Sequence, residues 1–429
     1  MRGILSPSPG TADLEAARRV LRDRFGFPDF RPGQAGIVTA MLGGRDVLAV
    51  LPTGAGKSLC FQLPALLAPG PTLVVSPLIA LMEDQVAGLR RRGIDAAALT
   101  SATPGPERDR LLGRFAVRPP RLLYVSPERL GTSAFAEAWG RLRPARLVVD
   151  EAHCISEWGH DFRPEYRRIL RFLEAVGRPP VAAFTATATP ATRDDVARCL
   201  ALRAPHRVTA PVDRPNLRWS VRRDRAPGSA ARRAEAAVQG ALRADGDAAA
   251  VVYVLSRAGT ARAAAALRRS GVAAGAYHGG MDPATRTELQ EAFLRGPLRA
   301  ICATSAFGMG VDHPHVRLVC HLGMPASLEA YVQEAGRAGR DGRDAACLLL
   351  PLAGDERLHR SRIRAARRAA IRRGERSTGT RVAAASMRRL RAVRAYATTR
   401  GCRREAISRY FGETAGPCAG CDRCAGSVP

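Results

Sequence analysis

A chain of 429 residues with 46% hydrophobic content can bury about two or three cores. Its net charge of +28 calls for a polyanionic partner, nucleic acid ahead of an anionic membrane surface. No stretch reaches about eighteen consecutive apolar residues, and the opening "MRGILSPSPG" is too short and too rich in Pro and Ser for a signal peptide. Residues 1–10 therefore read as a frayed tail. The first strong element is "DVLAVL" at 46–51, a strand buried on both faces by its unbroken hydrophobicity. It runs into "LPTGAGKS", and "SLCFQLPALLA" follows with helical spacing. Strand, glycine loop and helix in that order aim backbone N–H groups at phosphates. The strict form of such a loop begins with glycine, and here Leu51 stands in that place. Against that, Lys57 is the single lysine among 67 Lys+Arg residues. Surface charge can drift wholly to arginine, but a phosphate cradle needs a compact point charge where a planar fork is too wide.

Further apolar runs follow: "TLVVSP", "LLYVSP", "RLVVDE" and "VAAFTAT", then "AAVVYVLS", "VAAGAYH", "RAICATS", "VRLVCHL" and "ACLLLPL". Continuous hydrophobicity with helical patterns between implies two parallel α/β sheets, both covered on each face. The join falls near "APVDRPNLRWS" at 210–220, where Pro and charge interrupt the pattern, and the Ala/Arg-rich 226–248 reads as a helix. The expected division is a tail at 1–10, a first α/β domain at 11–212, a second at 213–352 and an Arg-rich helical module at 353–429.

The strand "RLVVDE" ends in Asp150 and Glu151. Carboxylates there can hold the Mg²⁺ of a nucleotide (Asp150) and orient or deprotonate the attacking water (Glu151). A strand-end acid pair is common in α/β domains, but one lying after a glycine loop is a nucleotide-site pattern. Trp158, Phe162 and Tyr166 crowd behind the acids in a chain only 5% aromatic. With Arg163 they can stack a base, hold a phosphate and report strand occupancy; core packing is the competing reading. "FTATATP" follows the next strand with hydroxyls able to sense a γ-phosphate. In "YVQEAGRAGRDG", Arg337 and Arg340 lie three apart beside glycines, able to stabilise transition-state charge or simply to decorate a surface loop.

Residues 357–404 hold 17 arginines against one acid, Glu375. Met387, Leu390, Val393 and Tyr396 form a helical stripe, so the segment is folded. Such a segment can hold duplex phosphates without reading sequence. Of the ten cysteines, six are scattered through apolar runs and four crowd 402–424. Cys402, Cys418, Cys421 and Cys424 supply the four thiolates of a closed tetrahedral zinc site, Cys402 on a helix and the others on a loop. An iron–sulfur cluster is the alternative, though no x₃-C-P follows Cys424. Scattered thiols with one cluster point to a reducing cytosol.

Together these motifs resemble, in order and over almost the whole chain, the RecQ family of superfamily 2 DNA helicases. "FGFPDFRPGQ" resembles the family's adenine-reading motif, which implies Phe27 stacking on the base with Arg31 and Gln34 hydrogen-bonding it. "LPTGAGKS" matches the family's phosphate loop, which carries a bulky residue where Leu51 stands; Thr53, Gly54, Gly56, Lys57 and Ser58 are then nucleotide contacts, with Ser58 sharing Mg²⁺ with Asp150. "SPLIALMEDQV", "DEAHCISEWGHDFRPEY", "DRPNL", "ATSAFGMGVDHPHVR" and "QEAGRAGRDG" match further motifs. The resemblance implies Asp312 at the ribose, Gln333 and Arg337 at the nucleotide interface, Arg340 as arginine finger, and Trp158, Phe162 and Arg163 in a loop coupling DNA to hydrolysis. It also implies two RecA-like domains, a zinc module, and the cofactors ATP, Mg²⁺ and Zn²⁺. The expected activity is 3′→5′ movement on single-stranded or tailed DNA, in repair or recombination. An RNA-directed ATPase and a strand-annealing DNA-binding module with little unwinding are the alternatives. Relatives commonly continue into a winged helix, and this chain ends five residues after Cys424, so strong duplex separation is not expected.

Overall fold

The computed structural model describes residues 9–132, 135, 137, 144–159, 161–223, 226, 228–308, 313–418 and 420–424. The chain divides into two compact units, Met1–Ala210 and Pro211–Pro429. The first unit is built on β1 (Val47–Val50), β2 (Thr72–Val75), β3 (Ala96–Leu99), β4 (Leu122–Val125), β5 (Arg146–Val149), β6 (Val181–Thr185) and β7 (His206–Thr209). These form one parallel sheet in the order β3-β4-β2-β5-β6-β1-β7. Every residue of β1, β2, β4, β5 and β6 is buried, the outcome the unbroken Val/Leu/Ala runs require. The two faces carry separate cores, one around Leu73, Val149 and Tyr166 and the other around Phe61, Val74 and Phe184.

The second unit holds β8 (Leu217–Val221), β9 (Ala249–Val254), β10 (Ala274–Tyr277), β11 (Ala300–Ala303), β12 (Val316–Leu322) and β13 (Ala345–Leu350), all parallel in the order β10-β11-β9-β12-β13-β8. The helix Ser229–Ala244 falls inside the stretch expected to be helical. The module beyond 353 does not stand apart from this sheet. Leu390, Val393, Tyr396, Ile407, Phe411 and Cys421 share one core with Trp219, Val319 and Tyr331.

Three strands escape the sequence pattern: β3, β7 and β8. Each is an edge strand. An edge strand has one neighbour and can leave part of its length exposed, so it needs no unbroken apolar run. In β7 the residues alternate between half-buried and exposed. Residues β3 uses are mostly alanine, a helix former by propensity that is held extended by β4 alongside. β8 begins inside 210–220, the stretch expected to hold the join, and belongs to the second unit's sheet; the units divide after Ala210.

Candidate nucleotide site and cysteine centre

In the first unit, β1 ends at a loop that turns through left-handed conformations at Gly54 (φ 84°) and Gly56 (φ 78°) before the helix Lys57–Leu67 begins. Only glycine adopts these without strain. A Cβ on Gly56 would also run into the Gln34 side chain. The Lys57 ammonium donates to the Leu51 carbonyl at 3.2 Å, so it lies folded over its own loop. Thr53 and Ser58 lie half-buried on the same turn.

The segment read as base-recognising braces this loop. Gln34 is buried; its Nε2 donates to the Ala55 carbonyl at 2.9 Å and its Oε1 accepts the Arg31 N–H at 2.9 Å. Arg31 donates in turn to the Gly54 carbonyl. Phe27 stands 45% exposed, a large apolar ring open to solvent.

β5 delivers Asp150 and Glu151 side by side. Asp150 is anchored through its backbone: its N–H donates to Val75 O at 2.9 Å, and its carbonyl accepts from the Tyr166 hydroxyl at 3.2 Å. Glu151 sits in the left-handed region at φ 48°, a conformation a non-glycine residue holds only under surrounding constraint. Burial, then the neighbouring Glu151 charge, push the Asp150 carboxyl up to about 7, against the pull of Lys57. Lys57 and His153 only partly offset the two buried carboxyls, since Asp150 stays raised, and a divalent cation would complete the balance. Carboxylate and hydroxyl oxygens are donors that Mg²⁺ accepts, so the chemistry of Asp150 and Ser58 suits that ion.

His153 is a member of this site that the motif reading left without a role. Its Nδ1 lies 2.9 Å from the Thr185 hydroxyl and 3.3 Å from Glu151 Oε2, both groups buried. It thus links the acid pair to the end of β6, the "FTATATP" strand. The contact exists because β5 and β6 are neighbours. The letters H and T carry no hint of that adjacency.

The aromatic segment folds back tightly on the acids. A Cβ on Gly159 would clash with the His153 carbonyl, so this turn needs glycine. Trp158 is 45% exposed, while the Phe162 ring lies under the Arg167 guanidinium at 5.2 Å. Arg163 bonds Asp161 at 3.1 Å and the Pro77 carbonyl at 3.0 Å, tying the segment to the loop after β2. Of the three, Trp158 is the one most open to solvent, while Phe162 and Arg163 are half-buried.

In the second unit, Gln333 is half-buried on the helix Leu328–Ala335 and Arg340 is half-buried beyond it. Arg337 is buried and donates to the Gly308 carbonyl. Arg214 donates to Gly336 O at 2.8 Å and Asn216 to Gly339 O at 2.8 Å, so the "DRPNL" segment clamps the arginine turn from below. Asp312, expected at the ribose, lies outside the described residues.

The four cysteines converge as their spacing predicts. Their Sγ atoms all lie within 4.8 Å of one another. A tetrahedral ion with Zn–S near 2.3 Å needs S···S separations of about 3.8 Å, so a small contraction seats it. Cys402 is the residue that caps the helix Arg403–Tyr410 rather than lying within it, its sulfur accepting the Glu405 N–H at 3.4 Å. Burial opposes ionisation of Cys421, but backbone N–H groups including those of Arg403 and Arg423 hold its thiol down at about 7, favouring the thiolate a metal requires.

Beneath the cysteines lies a buried ion-pair system that sequence reading missed. Arg403, 1% exposed, donates to Asp422 Oδ1 at 2.9 Å and to the Tyr396 carbonyl at 2.7 Å. Asp422 also accepts the Val221 N–H at 3.1 Å. Arg404 pairs with Asp213 and donates to Leu217 O at 3.1 Å. The cysteine loop itself adds to β8: Trp219 N–H donates to Gly420 O at 2.9 Å and Asp422 N–H to Trp219 O at 3.0 Å. Arginine is so common in this chain that no spacing singles these two out.

Comparison with known proteins covers the same regions. Residues 31–196 match the DEAD/DEAH box helicase model, 234–342 the helicase conserved C-terminal domain, and 355–425 the RecQ zinc-binding model. The ATP-dependent DNA helicase RecQ of Pasteurella multocida is 38% identical over 412 residues, which is 96% of this chain and 62% of that protein. That of Synechocystis is 40% identical over 348 residues, 79% of this chain and 71% of that protein. The chain thus spans about 62% of the length of the Pasteurella relative. Among solved structures, Mycobacterium smegmatis helicase Lhr bound to ssDNA and AMP-PNP superimposes with a TM-score of 0.62 at 24% identity, covering 87% of this chain and 50% of that one. The helicase MrfA bound to DNA gives 0.67 at 18% identity, covering 83% and 54%. These two establish the tandem RecA-like fold.

Proposed function

The chain belongs to the RecQ family, and from that premise we propose that it is an ATP-dependent DNA helicase that moves 3′→5′ along single-stranded DNA. The observation that carries the reading is the buried Asp150–Glu151 pair facing a glycine loop with the chain's one lysine, joined on the same chain to a RecQ-type cysteine centre. Lys57 and the loop N–H groups bind the phosphates. Phe27 stacks on the base, and Arg31 and Gln34, which brace the loop, couple base occupancy to its shape. Magnesium, when bound by Asp150 and Ser58, offsets phosphate charge. Glu151 orients the attacking water and takes its proton, held in place by its backbone conformation and by His153. Arg340 is the guanidinium we assign to the γ-phosphate, Asp312 the ribose contact, and Arg337 the residue that fixes the turn bearing Arg340.

DNA enters the cycle through Trp158. An exposed indole stacks any base without regard to sequence, and its segment shares backbone contacts with the acid pair. Base stacking can therefore reach Glu151 and His153 through a few tight contacts. The proposed setting is the DNA-associated cytoplasm, in repair or recombination; among the described residues no helix is long and apolar enough to cross a membrane. The test is an ATPase assay with single-stranded DNA, single-stranded RNA or neither, followed by tailed-duplex unwinding with 3′ and 5′ tails. DNA-specific stimulation and a 3′-tail requirement are expected. Stimulation by RNA alone would transfer the assignment to an RNA-directed enzyme.

A further inference from the structure

After β13 the chain forms a hairpin of two long helices, Asp355–Arg372 and Arg376–Thr398, turning at Gly374. Its base is fixed to the second unit. The Asp355 carboxylate accepts the Met324 N–H at 2.6 Å and the Leu352 N–H at 2.7 Å, His359 Nε2 lies 2.7 Å from Met324 O, and Leu390, Val393 and Tyr396 enter the core. Between 360 and 384, only Ala370 and Gly379 are buried. There the helices cross at near-backbone contact, since a Cβ on Gly379 would lie 2.6 Å from that of Ala370. The far half of the hairpin is thus a stiff rod held by its own crossing.

That rod carries charge that no described carboxylate balances. Arg364, Arg367, Arg368, Arg372 and Arg376 are exposed, and among the described residues none faces a carboxylate. The two nearby acids are already taken, Glu356 by Arg360 and Arg394, and Glu375 by Arg373. Arg364, Arg368 and Arg372 follow at intervals of four, so they form one stripe at steps of about 6 Å. Like charges at that spacing repel and weaken the helix. Compositional drift towards arginine does not account for this. The other 381 residues hold 38 acids, whereas 357–404 keeps one.

We propose that this hairpin is a grip for the backbone of double-helical DNA, separate from the strand-tracking site. The inference rests on the helicase reading for its choice of nucleic acid. A duplex is favoured over a single strand by what the rod lacks. Residues 360–395 contain no Phe, Trp, Tyr or His, so it offers guanidinium groups to phosphates and no ring to a base. A fixed stripe of cations matches a fixed row of phosphates without having to order a flexible strand. The grip reads no sequence.

The test replaces Arg364, Arg367, Arg368, Arg372 and Arg376 together, once by Ala and once by Lys, in the full chain. Affinity for a blunt duplex of about 20 base pairs is measured by fluorescence anisotropy across a salt series. Each phosphate contact contributes about 0.9 to the slope of log K against log salt, so the Ala variant should lose about 2–4 from that slope and bind at least about tenfold more weakly. The Lys variant, keeping charge on the same helices, should retain most of the slope; loss in both would mean the fold rather than the charge was at fault and would overturn the proposal. Affinity for oligo(dT) and the DNA-stimulated ATPase should hold. Equal loss on duplex and oligo(dT) overturns the separation of the two sites, and an unchanged duplex slope overturns the grip. Loss confined to vesicles of phosphatidylglycerol and phosphatidylcholine reassigns the hairpin to a membrane surface. The slope comparison does not depend on ATP turnover, so the helicase reading and this one fail on different measurements.

Discussion

Each unit holds a site with buried charge, and the two sites handle it in opposite ways. At the end of β5, Asp150 and Glu151 place like charges together, with Asp150 lifted to about 7 although Lys57 and His153 both pull it down. Beneath the cysteine centre, Arg403 meets Asp422 and Arg404 meets Asp213, each cation paired with a carboxylate and donating to backbone carbonyls. A mismatched cluster costs stability and waits for something from outside, such as a cation or a reacting water. A matched cluster balances its own charge and fixes geometry. Buried charge marks chemistry in the first case and architecture in the second.

That contrast can be broken by experiment. The largest effect should come from Glu151→Gln: ATP turnover falls by about 100-fold or more while ATP binding persists. A wild-type rate in that variant would sink the catalytic assignment. Lys57→Arg should be nearly as damaging to turnover as Lys57→Ala, since the charge stays but the fork does not fit the cradle. An active Lys57→Arg enzyme would remove the meaning given to the solitary lysine.

On the matched side, zinc analysis should return one ion per chain, and Cys421→Ser should abolish it and melt the C-terminal module. Stoichiometric iron with broad visible absorbance would favour the cluster alternative. Arg403→Met should cost about 3–5 kcal/mol in denaturant unfolding by leaving buried Asp422 only the half-exposed Arg222 at 3.6 Å, while nucleotide affinity holds. The smallest effect sharpens the contrast most. Arg403→Met combined with Asp422→Leu should recover much of that loss, as replacing a whole buried pair often does. Were the double variant as unstable as the single one, the pair would be contributing more than mutual neutralisation.

What the sequence made legible follows the same division. Lys57, Asp150 and Glu151, and the four cysteines, could be found because their chemistry demands a residue type at a fixed local spacing. The central strands could be read because burial on both faces demands unbroken hydrophobicity. β3, β7 and β8 were not readable, since an edge position relaxes that demand. His153 with Thr185, and Arg403 with Asp422, were hidden for another reason. Their partners are 32 and 19 residues away and meet only through the order of strands or the path of the cysteine loop. Gly159 was hidden too, because its necessity lies in one close approach to the His153 carbonyl.

The pairing of the cysteine loop with β8 has a consequence for how the chain is made. β8 is the first strand of the second unit to leave the ribosome, yet its outer side is met by Gly420 and Asp422, roughly two hundred residues later. At about 5–20 residues per second, that leaves the strand's open edge waiting on the order of 10–40 seconds. During that interval Trp219 and its neighbours are a template for any passing strand. The arrival of the cysteines, and of the ion they bind, closes that window, so metal supply during synthesis should govern the yield of soluble protein as much as the stability of the finished molecule.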